Sequence, residues 1–263
     1  MIYCNLKGGL GNMLFQIAAT KSLSIDNGVD CSFPNMESQL KLINDDNFYN
    51  PTIKHSFEYD LMFGKLNRSQ PNNGTLIKFP FEYLKYTVND NSIIDGFFQS
   101  EKYFKHHRKE IIELFKIPKE IKEIINDKYS DLLETKTTAL HVRRGDYVTH
   151  PNHHPVQTIE YYNKAVELIG KDTTIVVFSD DIEWCKKNFN IDNIIYIEDE
   201  KDYIELYLMS LCDNNIISNS SFSWWGAWLN TNENKKVIAP NKWFGSAINE
   251  NTDDIIPEGW VKI

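Results

Sequence analysis

Short apolar runs alternate with longer segments whose apolar residues recur every three or four positions in the second half of the chain. The short runs predict strands, and the longer segments predict amphipathic helices. Continuously apolar strands are typical of a parallel sheet that helices cover on both faces. The repeats therefore predict a doubly wound sheet over residues 135–240. The predicted strands are 137–142, 173–180, 194–197, 215–218 and 236–240, and the predicted helices are 158–170, 181–189, 202–212 and 221–229.

The chain begins with a second arrangement of the same kind. An apolar strand at 2–6 is followed by the glycine-rich turn KGGLGN at 7–12, a helix over 12–28 and a strand at 29–33. This order predicts one βαβ unit, in which Asn27 and Gly28 end the helix. The residues expected on the buried side of that helix are Leu14, Ile17, Ala18 and Leu23.

Residues 34–92 show no regular period, and their asparagines and prolines predict long surface connections that carry short elements. A strand at 92–98 and helices at 100–118 and 119–134 follow. The polar segment 134–137 then predicts a junction between two α/β domains, 1–134 and 135–263, facing one another across a cleft. Ligands of such sheets bind beyond the carboxyl ends of the strands.

Composition and charge narrow the possible functions. The 263 residues carry a net charge of −9, which does not favour a nucleic-acid or anionic-membrane partner. No secretory signal and no run of apolar residues long enough to cross a membrane is found, so we expect a cytoplasmic protein with at most peripheral membrane association. Buried free thiols are favoured over metal ligands or disulfides for the four dispersed cysteines, Cys4, Cys31, Cys185 and Cys212.

The motif HVRRGDY lies where the first strand of the second domain ends. Successive strand residues point to opposite faces, so Arg143 and Arg144 are expected to have different roles. One guanidinium can hold a diphosphate in a bidentate manner, while the other pairs with Asp146 or braces the domain interface. The alternative is a solvated turn with a local ion pair.

Two further strand ends carry polar residues. Asp180, in FSDD, either caps the next helix, which is the favoured interpretation, or accepts N–H groups of a nucleoside. In SNSSFSWWGAWL, a helix start with hydroxyl groups suits a phosphate, although a serine that only caps the helix is the simpler alternative. The tryptophans of this helix are expected to pack in the core; they are Trp224, Trp225 and Trp228.

Two loops remain as weaker candidates. The turn KGGLGN lacks the spacing of a dinucleotide fingerprint, yet its glycines allow a ligand to approach the backbone, and Asn12 begins the helix. A plain tight turn is an equally good interpretation. The loop 150–155 contains His150, His153 and His154, but no carboxylate or cysteine stands at ligand spacing, so we expect no metal site there.

Together these motifs resemble the α-1,2-fucosyltransferases of bacterial surface-glycan synthesis, a glycosyltransferase family 11 type within the HxRRxD fucosyltransferases. The similar segments are GGLGNMLFQIAA, HVRRGDYV, FSDDIEWC and ELYLMSLCDNNIISNSSFSWWGAWLN, in family order, and the resemblance is weakest over 34–92. It implies a GT-B fold of two Rossmann-like domains, the carboxyl-terminal one binding the GDP-sugar and the amino-terminal one serving the acceptor.

The resemblance also implies a reaction. L-Fucose would pass from GDP-β-L-fucose to the 2-hydroxyl of a terminal galactose in a glycan, with inversion and with no metal or other cofactor. Arg143 would hold the diphosphate beside His141 and Asp146, and Asn12 would reach the reacting centre. The residues expected to line the donor pocket are Gly9, Gly11, Asn12, Arg143, Asp180 or Asp181, Ser220, Ser221 and Phe222.

The chain departs from the related α-1,6-fucosyltransferases at one position. Their suspected base, a glutamate several residues after the motif, has no counterpart near Pro151, so the candidates are Asp146, His154 and His141, in that order. The alternatives are a nucleotide-sugar transferase with another donor or linkage, and a sugar-nucleotide or glycan-binding module without activity. A protein O-fucosyltransferase is disfavoured, because the chain shows no signal peptide and no disulfide pattern.

Overall fold

All strand pairs among residues 1–43 and 59–263, the part of the chain that the computed structural model describes, are parallel. They form two sheets, each in its own compact unit. The first unit contains the described residues of 1–116 together with 250–257, and the second contains 117–249 and 258–263. Both units are therefore of the predicted α/β class.

The sheet of the first unit has the strand order β2-β1-β4-β3. The predicted βαβ unit is present, with shorter strands than expected because pairing ends where the Gly-rich turn and the next connection begin. Its four strands are β1 (Ile2–Cys4), β2 (Cys31–Ser32), β3 (Thr75–Lys78) and β4 (Ser92–Asp95). Helix α1 (Leu10–Asp26) buries all four of its predicted inward-facing residues, Leu14, Ile17, Ala18 and Leu23.

The region 34–92 carries short elements, as predicted, although the sequence did not place them. Helix α2 (Met36–Ile43), the short α3 (Asp60–Phe63) and the edge strand β3 lie there. Strand β3 is largely exposed and lacks the apolar alternation that identifies a strand, which is why the sequence does not reveal it. Part of the predicted connection, 44–58, lies outside the described residues.

The helix predicted over 100–118 is divided. Two short 3₁₀ turns, Glu101–Tyr103 and Lys105–His107, precede α4 (Arg108–Leu114). Phe104, between the turns, has a non-helical backbone (φ −144°) and a fully buried ring that contacts Phe15. Burying this ring interrupts the helical path that local periodicity predicts.

The sheet of the second unit has the order β10-β9-β8-β5-β6-β7, and all five predicted strands are present in it. Strand β5 is the first along the chain yet lies between β6 and β8, so the direction in which strands are added reverses there. Its strands are β5 (Thr137–Val142), β6 (Thr174–Ser179), β7 (Ile194–Tyr196), β8 (Asn214–Ile216), β9 (Val237–Ala239) and β10 (Val261–Lys262).

The helices of this unit bury the two faces of its sheet. In α10, Trp224, Trp225 and Trp228 are almost fully buried, which confirms that they belong to the core. Gly226 lets α10 approach α9, because an added Cβ would lie 2.9 Å from the Cβ of Met209. The helices are α5 (Lys119–Leu133), α6 (Gly145–Thr149), α7 (Ile159–Ile169), α8 (Ile182–Asn188), α9 (Asp202–Leu211) and α10 (Ser221–Leu229).

The structure divides the chain earlier than the predicted ranges 1–134 and 135–263. Helix α5 belongs to the second unit, where Lys128 and Tyr129 both bond the buried carboxylate of Glu200 at 2.8 and 2.9 Å. The segment 250–257 belongs to the first unit, where Asp254 pairs with Lys102. These contacts link residues distant in sequence, which a change in local composition does not reveal.

All four cysteines are free thiols, and three of them are buried, as predicted. Among the described residues, we find no helix with both the length and the apolar character needed to span a bilayer.

Candidate functional site

The candidate residues of the second unit gather at one edge of its sheet. Val142, at the end of β5, pairs with Ser179 at the end of β6, and Leu140 pairs with Ile216 at the end of β8. The residues that follow these three parallel strands therefore lie side by side. The edge between β5 and β8 is the point where strand order reverses, which is where open α/β sheets bind ligands.

Arg143 is held by two carboxylates. Its Nη2 donates to Asp146 Oδ1 at 2.5 Å, and its Nη1 lies 3.1 Å from Asp180 Oδ2, as an ion pair without hydrogen-bond alignment. Its guanidinium also lies 5.3 Å from the centre of the Tyr147 ring. Burial lowers the pKa of this guanidinium, but Asp180, Tyr147 and Asp146 outweigh that effect and raise it, so Arg143 is a fixed cation.

Arg144 has a different environment, as predicted, although both arginines lie beyond the last residue of β5, so strand alternation is not the reason. Its Nε donates to Asp181 Oδ2 at 2.8 Å, and its guanidinium lies 4.2 Å from the centre of the Trp184 ring. Both partners belong to the start of α8. Arg144 thus ties the end of β5 to α8 within the second unit, and it is Arg143, not Arg144, that pairs with Asp146. The bracing of a domain interface by one of the two arginines stays a prediction.

The capping role predicted for Asp180 belongs to its neighbour. Asp181, not Asp180, caps α8, since its Oδ1 accepts the backbone N–H of Trp184 at 3.2 Å. Asp180 instead accepts the backbone N–H of Arg144 at 2.8 Å and pairs with Arg143. Burial raises the pKa of the Asp180 carboxyl, against the lowering effect of Arg143. Both carboxylates are engaged within the protein.

His141 joins the two strands that flank the switch point. Its Nδ1 lies 2.8 Å from Ser218 Oγ, and its ring lies 5.6 Å from that of Phe222. Burial, assisted by Arg143, lowers the pKa of this imidazole to about 3. A neutral ring of such low basicity is suited to holding Ser218 and is a poor proton acceptor.

The start of α10 offers hydrogen-bond donors. Ser220 caps the helix by accepting the backbone N–H of Phe222 at 3.3 Å. Helical geometry leaves the N–H groups of Ser221 and Ser223 without an intrahelical acceptor, and the positive end of the helix dipole lies here. Ser221 and Phe222 are partly exposed, so this turn can meet an anion.

His154 lies against the same site through Tyr147. The two rings stack at 4.8 Å with an angle of 17°, and the Tyr147 hydroxyl donates to the carbonyl of Asn219 at 3.0 Å. Burial lowers the pKa of His154, whose Nδ1 is buried without a hydrogen-bond partner among the described residues. Among all the residues that the structure describes, no group of three converging metal-ligand atoms includes a histidine of 150–155.

The turn KGGLGN belongs to the first unit, beyond the end of β1. Gly8 has a φ of +80°, and an added Cβ would lie 2.5 Å from Asn12 Nδ2, so both the backbone and the close approach of Asn12 require glycine. Gly9, the residue before α1, faces open space. The turn therefore has more than a connecting role: Gly8 allows Asn12 to approach the backbone closely, and Gly9 leaves space beside the turn.

Asn12 is oriented by a residue that the sequence did not single out. Gln99 Nε2 donates to Asn12 Oδ1 at 2.7 Å, which directs the amide N–H groups of Asn12 away from Gln99. Gln16 also holds the turn in place. Its Oε1 accepts the backbone N–H of Lys7 at 2.9 Å, and its Nε2 donates to the Lys7 carbonyl at 2.8 Å. Only the tertiary fold brings Gln99 to Asn12, across 87 positions.

Asn219 is a second residue that sequence reasoning missed. Its amide donates to the carbonyls of Pro155 and Trp243 at 3.0 and 2.9 Å and accepts from Gln157 at 2.9 Å. It therefore holds the segment after the histidine loop against the end of β8. The sequence could have indicated Asn219 through its position in the stretch SNSSF. It was overlooked because the neighbouring serines are the more familiar ligands of an anion.

The charges at this edge explain what it can bind. Two guanidiniums face three carboxylates, of Asp146, Asp180 and Asp181. A guanidinium has five N–H donors, and Asp146 engages one of those of Arg143, so donors remain for a ligand. Together with the start of α10, Arg143 can stabilise a phosphate oxygen without a net positive surface.

Comparisons with known proteins show the family of the chain. The family model for glycosyl transferase family 11 matches residues 79–263. The O-antigen biosynthesis glycosyltransferase WbnK of Escherichia coli is 33% identical over 100% of both chains, and an α-1,2-colitosyltransferase of the same organism is 32% identical over 100% of this chain and 99% of its own.

Solved structures give the fold. The fucosyltransferase NodZ from Bradyrhizobium matches with a TM-score of 0.54 and 14% identity, over 86% of this chain and 92% of its own. Crystals of NodZ α-1,6-fucosyltransferase soaked with GDP-fucose match with a TM-score of 0.55 and 14% identity, over 87% and 92%. The chain accordingly has a GT-B-like α/β fold, as predicted.

The buried His141 makes stability depend on pH. Its imidazole has a pKa of about 3 in the folded protein and about 6.5 when unfolded, so the unfolded chain binds the extra proton between these values. Stability is therefore lost as pH falls below about 6.5, by up to about 1.4 kcal/mol per pH unit from this residue. Between pH 7 and pH 5, we expect about 2 kcal/mol of loss from His141.

Urea unfolding of the wild type and of His141→Asn at both pH values measures this loss. Asparagine does not titrate and keeps a polar group for Ser218, so the variant loses about 2 kcal/mol less than the wild type over the same interval. Other carboxyl and imidazole groups contribute equally to both proteins. The same pH dependence in both would contradict the assignment.

Proposed function

The chain belongs to glycosyl transferase family 11, and on that premise we propose that it transfers L-fucose from GDP-β-L-fucose to the 2-hydroxyl of a terminal galactose in a glycan. The observation that carries the proposal is the paired cation Arg143 at the end of β5, whose neighbour β8 leads into α10, at the switch point of the second sheet. The fucosyltransferase fold supports the donor, and the α-1,2-colitosyltransferase relative supports the linkage.

Arg143 serves the leaving group in this proposal. Breaking the bond between sugar and phosphate leaves additional negative charge on GDP, and a preorganised cation and helix start stabilise that charge as it develops. Asp146 and Asp180 hold the guanidinium in place before the donor arrives, so little reorganisation is needed. In this mechanism the residues supply the fixed positive charge directly.

The donor pocket follows from the same edge of the sheet. Ser220 and Ser221 at the start of α10 bind phosphate oxygens, and Phe222 lies against the nucleoside. Asp180 and Asp181 contribute by holding the two arginines, and their contacts with a guanine ring remain a prediction. Asn12 orients acceptor or donor oxygens through the N–H groups that Gln99 leaves available. Gly9 faces open space, whereas Gly11 is buried within α1 and does not line the pocket.

The acceptor hydroxyl must lose its proton as it attacks the anomeric carbon from the face opposite GDP. We assign this proton to Asp146, whose side chain is 39% exposed and adjacent to Arg143. His141 is too weakly basic, and His154 is partly enclosed between Tyr147 and Phe244. Inversion then follows from attack on one face and departure from the other.

The direct test is an assay with purified protein. GDP-fucose, GDP-colitose and a UDP-sugar are each supplied with a panel of β-galactosides, and the products undergo linkage analysis. We expect an α-1,2-fucosylated galactose, formed equally well in EDTA. Transfer from GDP-colitose alone would show that GDP-fucose is not the donor. A product with another linkage would show that the 2-hydroxyl is not the acceptor group. Donor binding without turnover would favour a non-catalytic module.

Replacement of Arg143 tests the leaving-group role. Arg143→Lys keeps the charge beside Asp180 but loses the planar fork, and Arg143→Ala removes both. We expect kcat to fall by about 10²–10³ in the alanine variant and less in the lysine variant. Lys164→Ala, an exposed cation of the same unit, is the matched control and retains full activity.

Thermal unfolding accompanies these assays, because alanine leaves Asp180 without its cation. A lower Tm is expected for Arg143→Ala, so its activity is measured well below that temperature. If Arg143→Ala, assayed where it is folded, turns over as fast as the wild type, Arg143 does not bind the leaving group.

Replacement of Asp146 tests the base. Asp146→Asn keeps an oxygen that accepts from Arg143 but cannot take a proton, so we expect kcat to fall by about 10²–10⁴ while KM for the GDP-sugar changes little. His154→Gln is the comparison and retains most of its activity. A larger loss in His154→Gln than in Asp146→Asn would transfer the role to the histidine.

A further inference from the structure

A second group of titratable side chains lies at the opposite end of α1 from Asn12. Asp26, the last residue of α1, contacts both histidines of the 3₁₀ turn Lys105–His107. Its Oδ2 lies 3.0 Å from His106 Nε2, and its Oδ1 lies 2.7 Å from His107 Nε2. The ligand-type atoms of these three residues all lie within 4.8 Å of one another. Ser22 Oγ, one turn back on α1, lies 3.2 Å from His106 Nε2.

The position of Asp26 on its helix calls for a cation. The C-terminus of an α-helix carries partial negative charge, so a carboxylate there is unfavourable unless positive charge lies nearby. The last turn of α1 contains no basic residue. The two imidazoles are the groups that the fold places against this carboxylate, and both present the same nitrogen, Nε2, to it.

We propose that Asp26, His106 and His107 bind one divalent transition-metal ion of the zinc class. Two imidazole nitrogens and one carboxylate oxygen are ligands that Zn²⁺ accepts, at about 2.0–2.2 Å, with water in the fourth position. Ligand atoms of a tetrahedral site at that distance are about 3.3 Å apart. The two histidine–aspartate distances therefore open by only a few tenths of an ångström to admit the ion.

The ligand set distinguishes between cations. Mg²⁺ and Ca²⁺ prefer sites made of oxygen atoms, whereas imidazole suits Zn²⁺, Cu²⁺ and Ni²⁺. Side chains of His106 and Asp26 are 47% and 41% exposed, so water can complete the coordination sphere and the ion can enter from solvent. Ser22 Oγ can hydrogen-bond a ligand or the bound water. In the described part of the chain, this is the only such group of three.

The metal would act on stability and leave the transfer reaction unaffected. It joins segments that are 80 positions apart in sequence, and the unfolded chain does not hold the three ligands together. Binding therefore favours the folded first unit. Asn12 and Asp26 are 14 positions apart on α1, which at about 1.5 Å per residue places the cluster about 21 Å from the glycine-rich turn.

The experiment uses full-length protein without a histidine tag, stripped with a chelator and kept reduced. Equilibrium dialysis against ZnCl₂, in competition with a chromophoric chelator, gives the stoichiometry and Kd. Differential scanning calorimetry gives the Tm with ZnCl₂ or MgCl₂. We expect one tightly bound Zn²⁺ per chain and a Tm that rises with Zn²⁺ and is unchanged by Mg²⁺.

Two single variants locate the site. His107→Gln and Asp26→Asn each remove one ligand at similar volume, so both lose the tight Zn²⁺ and the rise in Tm, and both keep transfer activity. The matched control is His150→Gln/His153→Gln, which removes two exposed histidines of the second unit and keeps the effect. Zn²⁺ binding that survives in both single variants, or that is lost in the control, overturns the proposal, as does a wild-type Tm that Zn²⁺ leaves unchanged.

Discussion

The structure of the candidate site depends on the position of one strand. Strand β5 pairs in parallel with β6 on one side and with β8 on the other, although β8 follows β6 in the chain. The connections leaving β5 and β8 therefore run to opposite faces of the sheet and leave an opening at their carboxyl ends. The pairing of β5 with β8 brings His141 to Ser218, and the pairing of β5 with β6 brings Arg143 to Asp180.

The arginines at the carboxyl end of β5 can bind an anion locally although the protein as a whole is acidic. A protein of net charge −9 does not attract an anion through its overall field, so any phosphate site must be local. The side chains of Arg143 and Arg144 are mostly buried. Ion pairs with carboxylates, two for Arg143 and one for Arg144, offset part of the free energy that their desolvation costs. One arginine is committed to the helix that follows β6. Arg143 keeps N–H donors that its carboxylate partners do not engage.

Helix α1 connects two different kinds of polar chemistry in the first unit. At its start, Gly8 and Gln99 position the amide of Asn12. At its end, Asp26 gathers two histidines from a distant turn. Both arrangements follow from the helix dipole and from backbone geometry, since donors are available at the start of a helix and a carboxylate at its end needs a cation. The apolar residues between them bury the helix and fix both ends.

Local pattern was sufficient for the regular part of the fold. Continuous apolar strands with intervening amphipathic helices predicted the second sheet, its buried tryptophans and the strand ends where the candidate residues lie, because each of these follows from period and burial over a few residues. A difference between Arg143 and Arg144 was also predicted, but its cause lies in their partners, since both arginines follow the last residue of β5. The motifs then identified the family, because several specific segments occurred in the right order.

What only the tertiary structure decided are the contacts between residues distant in sequence. The capping role of Asp181, the low basicity of His141, the amide of Gln99 on Asn12 and the division of the helix at Phe104 all result from such contacts. Burial and partner geometry determine a group's protonation and orientation, and both depend on which elements pack together. The sequence by itself determined which residue types stand at the strand ends, and folding decided which of them are engaged with one another and which remain available to a ligand.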